Sequence, residues 1–155
     1  MNLLTWAVCL TMTAWGAVPA SPQPKPVSVH MVALKATTEG RPQKHFEAGL
    51  ESIQKEVAEL KCDTFTRVAS ETRSAPYKQE AKLSITPKCS LYVTPLAKQT
   101  DGRIKLDIRI EAVDEKSGKS KNALRSTNVV VPGEKFKYRM KMDQAELVVI
   151  VDVSD

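Results

Sequence analysis

Apolar and polar side chains change rhythm twice along this chain, dividing it into an uncharged leader, a short mixed segment and a long run of strands. From Val27 to Ala36 the period is two. Val27, Val29, Met31 and Ala33 share one face and Ser28, His30, Val32 and Leu34 the other, with the second half apolar on both sides. That pattern predicts a buried strand. After a loop at Thr37–Gly40 the rhythm lengthens. Phe46, Leu50, Ile53, Val57 and Leu60 recur at steps of four, three, four and three. This is one apolar stripe of a helix predicted over about Gln43–Lys61, with Pro42 suited to its first turn and Glu51 paired with Lys55 on the wet side.

Beyond Cys62 the period of two returns. Strands are predicted at Asp63–Glu71, Glu80–Thr86 and Cys89–Thr94, the last two flanking a Pro87-Lys88 turn. Asp101-Gly102 is a tight-turn pair. Ile104, Leu106, Ile108, Ile110 and Ala112 then alternate without error against Lys105, Asp107, Arg109 and Glu111, which predicts one dry and one wet face. A polar loop at Lys116–Asn122 leads to a strand at Ala123–Val131, and Pro132-Gly133 turns the chain again. Phe136, Tyr138, Met140 and Met142 alternate with Lys135, Lys137, Arg139 and Lys141, and an apolar strand, Leu147–Val153, comes last. Short connections favour antiparallel neighbours. The expected class is α+β: one helix packed on a mostly antiparallel sheet of about eight strands, folded into a sandwich or partial barrel.

The first twenty residues carry no charged side chain, and their apolar stretch closes on Val18-Pro19-Ala20. Small residues in those positions are what a signal peptidase accepts. Residues 1–20 are therefore expected to be a signal peptide cleaved near Ala20, and the mature chain to be exported to a periplasm or the exterior. An uncleaved anchor is the rival, since Leu3–Ala20 approaches the roughly 20 apolar residues that span a bilayer. Thr5, Thr11, Thr13, Gly16 and Pro19 dilute it. Residues 21–26 read as a proline-rich linker, with Pro22, Pro24 and Pro26 favouring extended geometry, and 27–155 as one domain. Removing the leader leaves 135 residues, enough for one core. It also removes Trp6 and Trp15, so the mature chain is poor in aromatics suited to stacking bases or sugars. Residues 101–142 hold eleven Lys and Arg against six Asp and Glu, a modest basic excess that names no partner.

With Asp101-Gly102-Arg103-Ile104, Pro132-Gly133 and the apolar strand Leu147–Val151 in view, the order of leader, strand, helix and β-meander resembles a loose group of small exported bacterial domains of uncharacterised function. The resemblance implies a cell-envelope setting. It brings no catalytic residues, and it differs at the final hairpin, where this chain has Lys137–Gln144 in place of glycines.

Candidate chemistry is sparse. His30 and His45 are the two histidines, and neither lies in a motif that supplies a nucleophile and an orienting group. The expectation is a packed His30 and a surface His45. His30, His45, Cys62 and Cys89 lack the short paired spacings of a zinc site, and Glu47, Glu51, Glu56 and Glu59 read as a solvated face. Gly118-Lys119-Ser120 mimics the end of a phosphate loop, yet Val113 stands where the motif needs glycine and strands flank it. No cofactor or metal is implied, and nucleic acid is excluded by export and the absence of a recognition motif. Cys62 and Cys89 could form a disulfide in an oxidising compartment. In a plain meander an intervening strand would hold them about 9–10 Å apart, beyond the 4.4–6.8 Å that a disulfide spans, so the bond forms only if Cys62, at the helix-to-strand corner, bends over that end. The remaining feature is the basic stripe Lys135, Lys137, Arg139 and Lys141. It reads either as lysine protection of an edge strand or as a contact face for an anionic envelope polymer, lipid headgroups or an acidic protein. The sequence thus points to an exported, non-enzymatic binding or scaffolding domain, with an enzyme of unrecognised site as the alternative.

Overall fold

The computed structural model describes residues 24–114, 117–142 and 144–155. The expected leader, the first half of the linker, and Lys116 and Asp143 of two expected turns lie outside the described residues. Nine strands are found among those described: β1 (Val27–Thr37), β2 (His45–Phe46), β3 (Thr64–Ala75), β4 (Ala81–Thr86), β5 (Cys89–Lys98), β6 (Ile104–Val113), β7 (Ser120–Val130), β8 (Lys135–Lys141) and β9 (Glu146–Ser154). They form a five-stranded sheet, ordered β2-β3-β1-β9-β8, and a four-stranded sheet, β4-β5-β6-β7. All neighbours are antiparallel except β2 and β3. The expected α+β class holds as a two-sheet sandwich with one short helix, and not as a barrel.

The inner core is built by the predicted alternation. Val27, Val29, Met31 and Ala33 of β1 and Val149, Val151 and Val153 of β9 face Leu83, Leu91, Val93, Ile104, Leu106, Ile108 and Ile110 of the second sheet. Of the five predicted dry residues of β6, Ile104, Leu106, Ile108 and Ile110 are fully buried and Ala112 is half-buried. Each such side chain withdrawn from water contributes about 1.5–3 kcal/mol. The apolar character of β1 on both sides has its reason in a second cluster. Val32, Leu34 and Ala36, with Val148 and Ile150, face outward and are covered by Leu50, Ile53, Val57 and Leu60.

That covering layer corrects the predicted helix. Only a 3-10 turn at Glu51–Ile53 and one helical turn, α1 (Gln54–Val57), are helical within Gln43–Lys61. His45–Phe46 instead pairs in parallel with Thr64–Phe65, and the two phenylalanine rings stack 4.8 Å apart. Gly49 then takes φ +82°, a conformation that no helix continues through. Arg67 crosses beside it, its guanidinium donating to the Gly49 carbonyl at 2.6 Å. The stripe is buried as predicted, but a strand, a turn and a single helical turn do the work of a helix. Glu51 correspondingly accepts the Gly49 N–H at 3.2 Å, and no Glu51–Lys55 ion pair is formed among the described residues.

Candidate functional site

The basic stripe divides in two. Phe136, Tyr138 and Met140 pack against the inner core as predicted, so Lys135, Lys137, Arg139 and Lys141 project from the other face of β8. That face carries the helical layer. Lys135 Nζ donates to the Ser52 carbonyl at 2.9 Å. Lys137 Nζ donates to the Glu56 carbonyl at 2.8 Å and pairs with Glu59. From the opposite side, Lys44 Nζ donates to the carbonyls of Ala58 and Leu60. A single helical turn leaves its last carbonyls without intrahelical partners. Lysine ammonium groups satisfy them here, with the charge sign that a helix C-terminus favours. The pairing with Lys137 holds the Glu59 carboxyl below its ordinary range. Lys135 and Lys137 are therefore engaged in holding the covering layer.

Arg139 and Lys141 lie at the other end of the strand. Arg139 grips Glu146 through bonds of 2.8–3.0 Å. Both cations also border a cleft of about 710 Å³ at the end of the sandwich, where the sheets part. Its lining comes from both sheets. Val68, Cys89, Ala112, Val113, Ala123, Met140, Met142 and Leu147 supply apolar surface, and Lys35, Lys88, Arg139 and Lys141 supply charge. The apolar members run from buried Leu147 through half-buried Met140 to Met142, which is 52% exposed. The four cations are all exposed, forming a rim around an apolar floor. Thr86 completes the lining, and no carboxylate belongs to it among the described residues. Lys35 and Lys141 form no ion pair with any described residue.

Irregularities in the ladders open this end. Between Ala33 and Leu34 the β1–β3 register skips Val68, and between Ile110 and Glu111 the β6–β7 register skips Ala123. Both extra residues line the cleft. A third irregularity, in the β4–β5 pairing at Ser84–Thr86, lies beside lining residues Thr86 and Cys89. A bulge bends its strand and strengthens its twist, and bulges concentrate beside functional sites.

The cysteines are separate thiols. Chain order does not produce a plain meander at this point: β3 belongs to the larger sheet and β4 and β5 to the smaller one. Cys62 sits in the outer cluster and Cys89 against the inner one, so the five-stranded sheet stands between them. Burial pushes the Cys89 thiol up, which keeps it protonated and weakly nucleophilic at neutral pH.

His30 differs from the packed residue expected. Its side chain is 41% exposed on the outer face of β1, with Nδ1 3.2 Å from Asp152 Oδ2. Thr72 is its partner across β1–β3. The row Thr72, His30, Asp152 lies on open sheet surface, away from the cleft. His45 is exposed, as expected. Among the described residues no cluster of three or more His, Cys, Asp or Glu could hold a metal ion. Gly118 and Lys119 lie between β6 and β7 and Ser120 opens β7, as the strand reading required.

The cleft itself was missed from sequence. Adjacent apolar residues at Val68-Ala69 and Ala123-Leu124 break the alternation, and these are the places where the ladders skip. No protein-family model, curated protein or solved structure matches this chain. No described helix is long and apolar enough to cross a membrane.

Proposed function

We propose that this is an exported, non-enzymatic domain of the cell envelope that binds anionic envelope material at the cleft between its sheets. The observation that carries the reading is the lining: among the described residues it holds four cations around an apolar floor, and two of them, Lys35 and Lys141, form no ion pair with a described residue. A rim of exposed cations favours an anion, and the apolar floor favours one attached to hydrocarbon. Lipid headgroups are accordingly the preferred partner over an anionic polymer or an acidic protein. Export rests on the leader pattern ending at Val18-Pro19-Ala20. An intact mass for the exported protein that begins near Ser21 and lacks Trp6 and Trp15 is the expected result.

Retention on phosphatidylglycerol vesicles, compared with phosphatidylcholine vesicles, tests the site. Retention should fall as salt rises, because screening shortens electrostatic reach to about 8 Å at physiological ionic strength. Lys35→Gln/Lys141→Gln should lose it. Lys55→Gln/Lys105→Gln, with the same net charge, should keep it. Equal retention of the two variants would dismiss the cleft as the contact site. The enzyme alternative keeps one favourable observation, the bonded His30–Asp152 pair, and hydrolytic activity abolished by Thr72→Ala would revive it.

A further inference from the structure

The outer cations and the apolar floor pose a question that headgroup contact alone does not answer. A protein touching only headgroups needs charge at its surface and has no use for a recess. Here three of the large apolar side chains that remain exposed, Val68, Val113 and Met142, turn up at one recess, and two of the lining residues are ladder bulges. Exposed apolar groups scattered singly are ordinary, whereas a cluster rimmed by charge marks a ligand or interaction site. The volume of about 710 Å³ falls within the roughly 300–1,000 Å³ typical of small-molecule clefts. Methionines, here Met140 and Met142, supply unbranched, adaptable surface that accommodates flexible chains.

We propose that the cleft seats the hydrocarbon chain of a single-chain acid, with its anionic head held at the rim by Lys35 and Lys141. This inference rests on the cleft being the binding site, and it adds that the ligand enters as a monomer. Lys35 comes from β1 at the level of Leu147 on β9, and Lys141 ends β8 opposite Glu146. Both are exposed at the mouth, while Leu147, Met140, Ala112 and Cys89 lie deeper. A carboxylate or phosphate at the mouth stays hydrated on one side and meets ammonium groups on the other. The chain behind it replaces water on the apolar floor. A free acid and a lysolipid share this chemistry.

The test is competition against a fluorescent long-chain acid, cis-parinarate, bound to the full mature chain without vesicles. Dodecanoate should displace it. Hexanoate should be at least about a hundredfold weaker, since each methylene withdrawn from water contributes up to about fourfold in affinity. Dodecanol should bind on the order of tenfold more weakly than dodecanoate, in line with loss of charge-assisted contacts at an exposed rim. In Lys35→Gln/Lys141→Gln that difference between acid and alcohol should vanish. A lysophosphatidic acid that outcompetes dodecanoate would identify a phosphate-headed source, and the reverse order a free acid. Hexanoate as effective as dodecanoate would overturn the chain seat and leave an anion site standing. Vesicle retention without any binding of monomeric acid would overturn it in favour of headgroup contact. No displacement, together with no retention on anionic vesicles, would remove both readings. Location is read independently at Cys89, which lines the cleft. In Cys62→Ala, dodecanoate should slow alkylation of Cys89, and an unchanged rate would place any bound acid elsewhere and overturn the proposal. Ala123→Trp should abolish binding. Because an indole on β7 can disturb the sandwich, the Cys89 measurement decides the location where that variant does not fold.

Discussion

Ile108 in the inner core and Tyr77, half-buried against it, carry opposite kinds of buried group. Ile108 is fully enclosed, with Val93 opposite on β5 and Ser126 on β7. Ile108→Ala should cost about 2–4 kcal/mol, because neighbours on two strands cannot collapse into the space. Denaturant unfolding measures it, and near-native stability would mean that the site relaxes freely. Tyr77 presents the opposite case. Its hydroxyl is buried without a hydrogen-bond partner among the described residues, and burial pushes its pKa up. An unmet buried donor carries its desolvation cost uncompensated. Tyr77→Phe should therefore be neutral or stabilising by up to about 1 kcal/mol. A clear loss of stability in that variant would show that the hydroxyl has a partner in solution.

At the scale of elements, the segment between β1 and β3 is where sequence pattern and structure part. The stripe Phe46, Leu50, Ile53, Val57 and Leu60 was legible, and all five pack on the outer face of the larger sheet. Its backbone was not legible, because the spacing of apolar residues records which side chains share a face and leaves open the path that puts them there. Local conflicts decided the path: Gly49 at positive φ, and a register with β3 that extends His45–Phe46 into a strand. Gly49→Ala should cost about 1–2 kcal/mol for the left-handed backbone. A methyl there also meets the Arg67 guanidinium at 2.8 Å, so Arg67 must move. If the variant is instead stabilised, the segment can become the longer helix that its periodicity suggests. The layer is also held from outside, by Lys44 and Lys137. Lys137→Gln should raise amide exchange across Leu50–Leu60 by about three- to tenfold and leave β6 protected. Unchanged exchange would reduce Lys137 to a surface cation.

For the whole molecule, carboxylates tie the layers together, and their titration gives its acid behaviour. Asp63 accepts the N–H groups of Glu39 and Arg41, each at 2.9 Å, and the Thr64 hydroxyl. Those bonds, that of Glu39 foremost, hold its carboxyl below the usual range. Glu71 on β3 accepts the Ser84 N–H of β4 at 2.8 Å across the gap between sheets, and its carboxyl is lowered in turn by that bond and by Arg73. Glu59 is lowered by Lys137. A carboxyl depressed in the folded state contributes stability that is present above its unfolded value, about 4, and lost as pH falls through the folded value. Melting temperature should therefore hold from neutrality to about pH 5 and fall below about pH 4. Asp63→Asn should be less stable than wild type at neutral pH, with the gap closing in acid. A constant gap across the titration would mean that the Asp63 charge contributes nothing.

Residues 27–155 determine by themselves which side chains are dry, where the chain turns and that its neighbours are mostly antiparallel. Alternation at period two is a local property, and Asp101-Gly102 and Pro132-Gly133 fix turns through backbone preferences that act within four residues. The stripe of four cations on β8 was equally plain. What each cation does was not, since Lys135 and Lys137 meet carbonyls some eighty positions earlier, whereas Arg139 and Lys141 meet the cleft. Tertiary structure alone decided the division into two sheets between β3 and β4, and with it the separation of Cys62 from Cys89. The cleft belongs to that level too. It exists because ladders skip Val68 and Ala123 at the same end of both sheets, and register is a relation between strands that neither strand encodes alone.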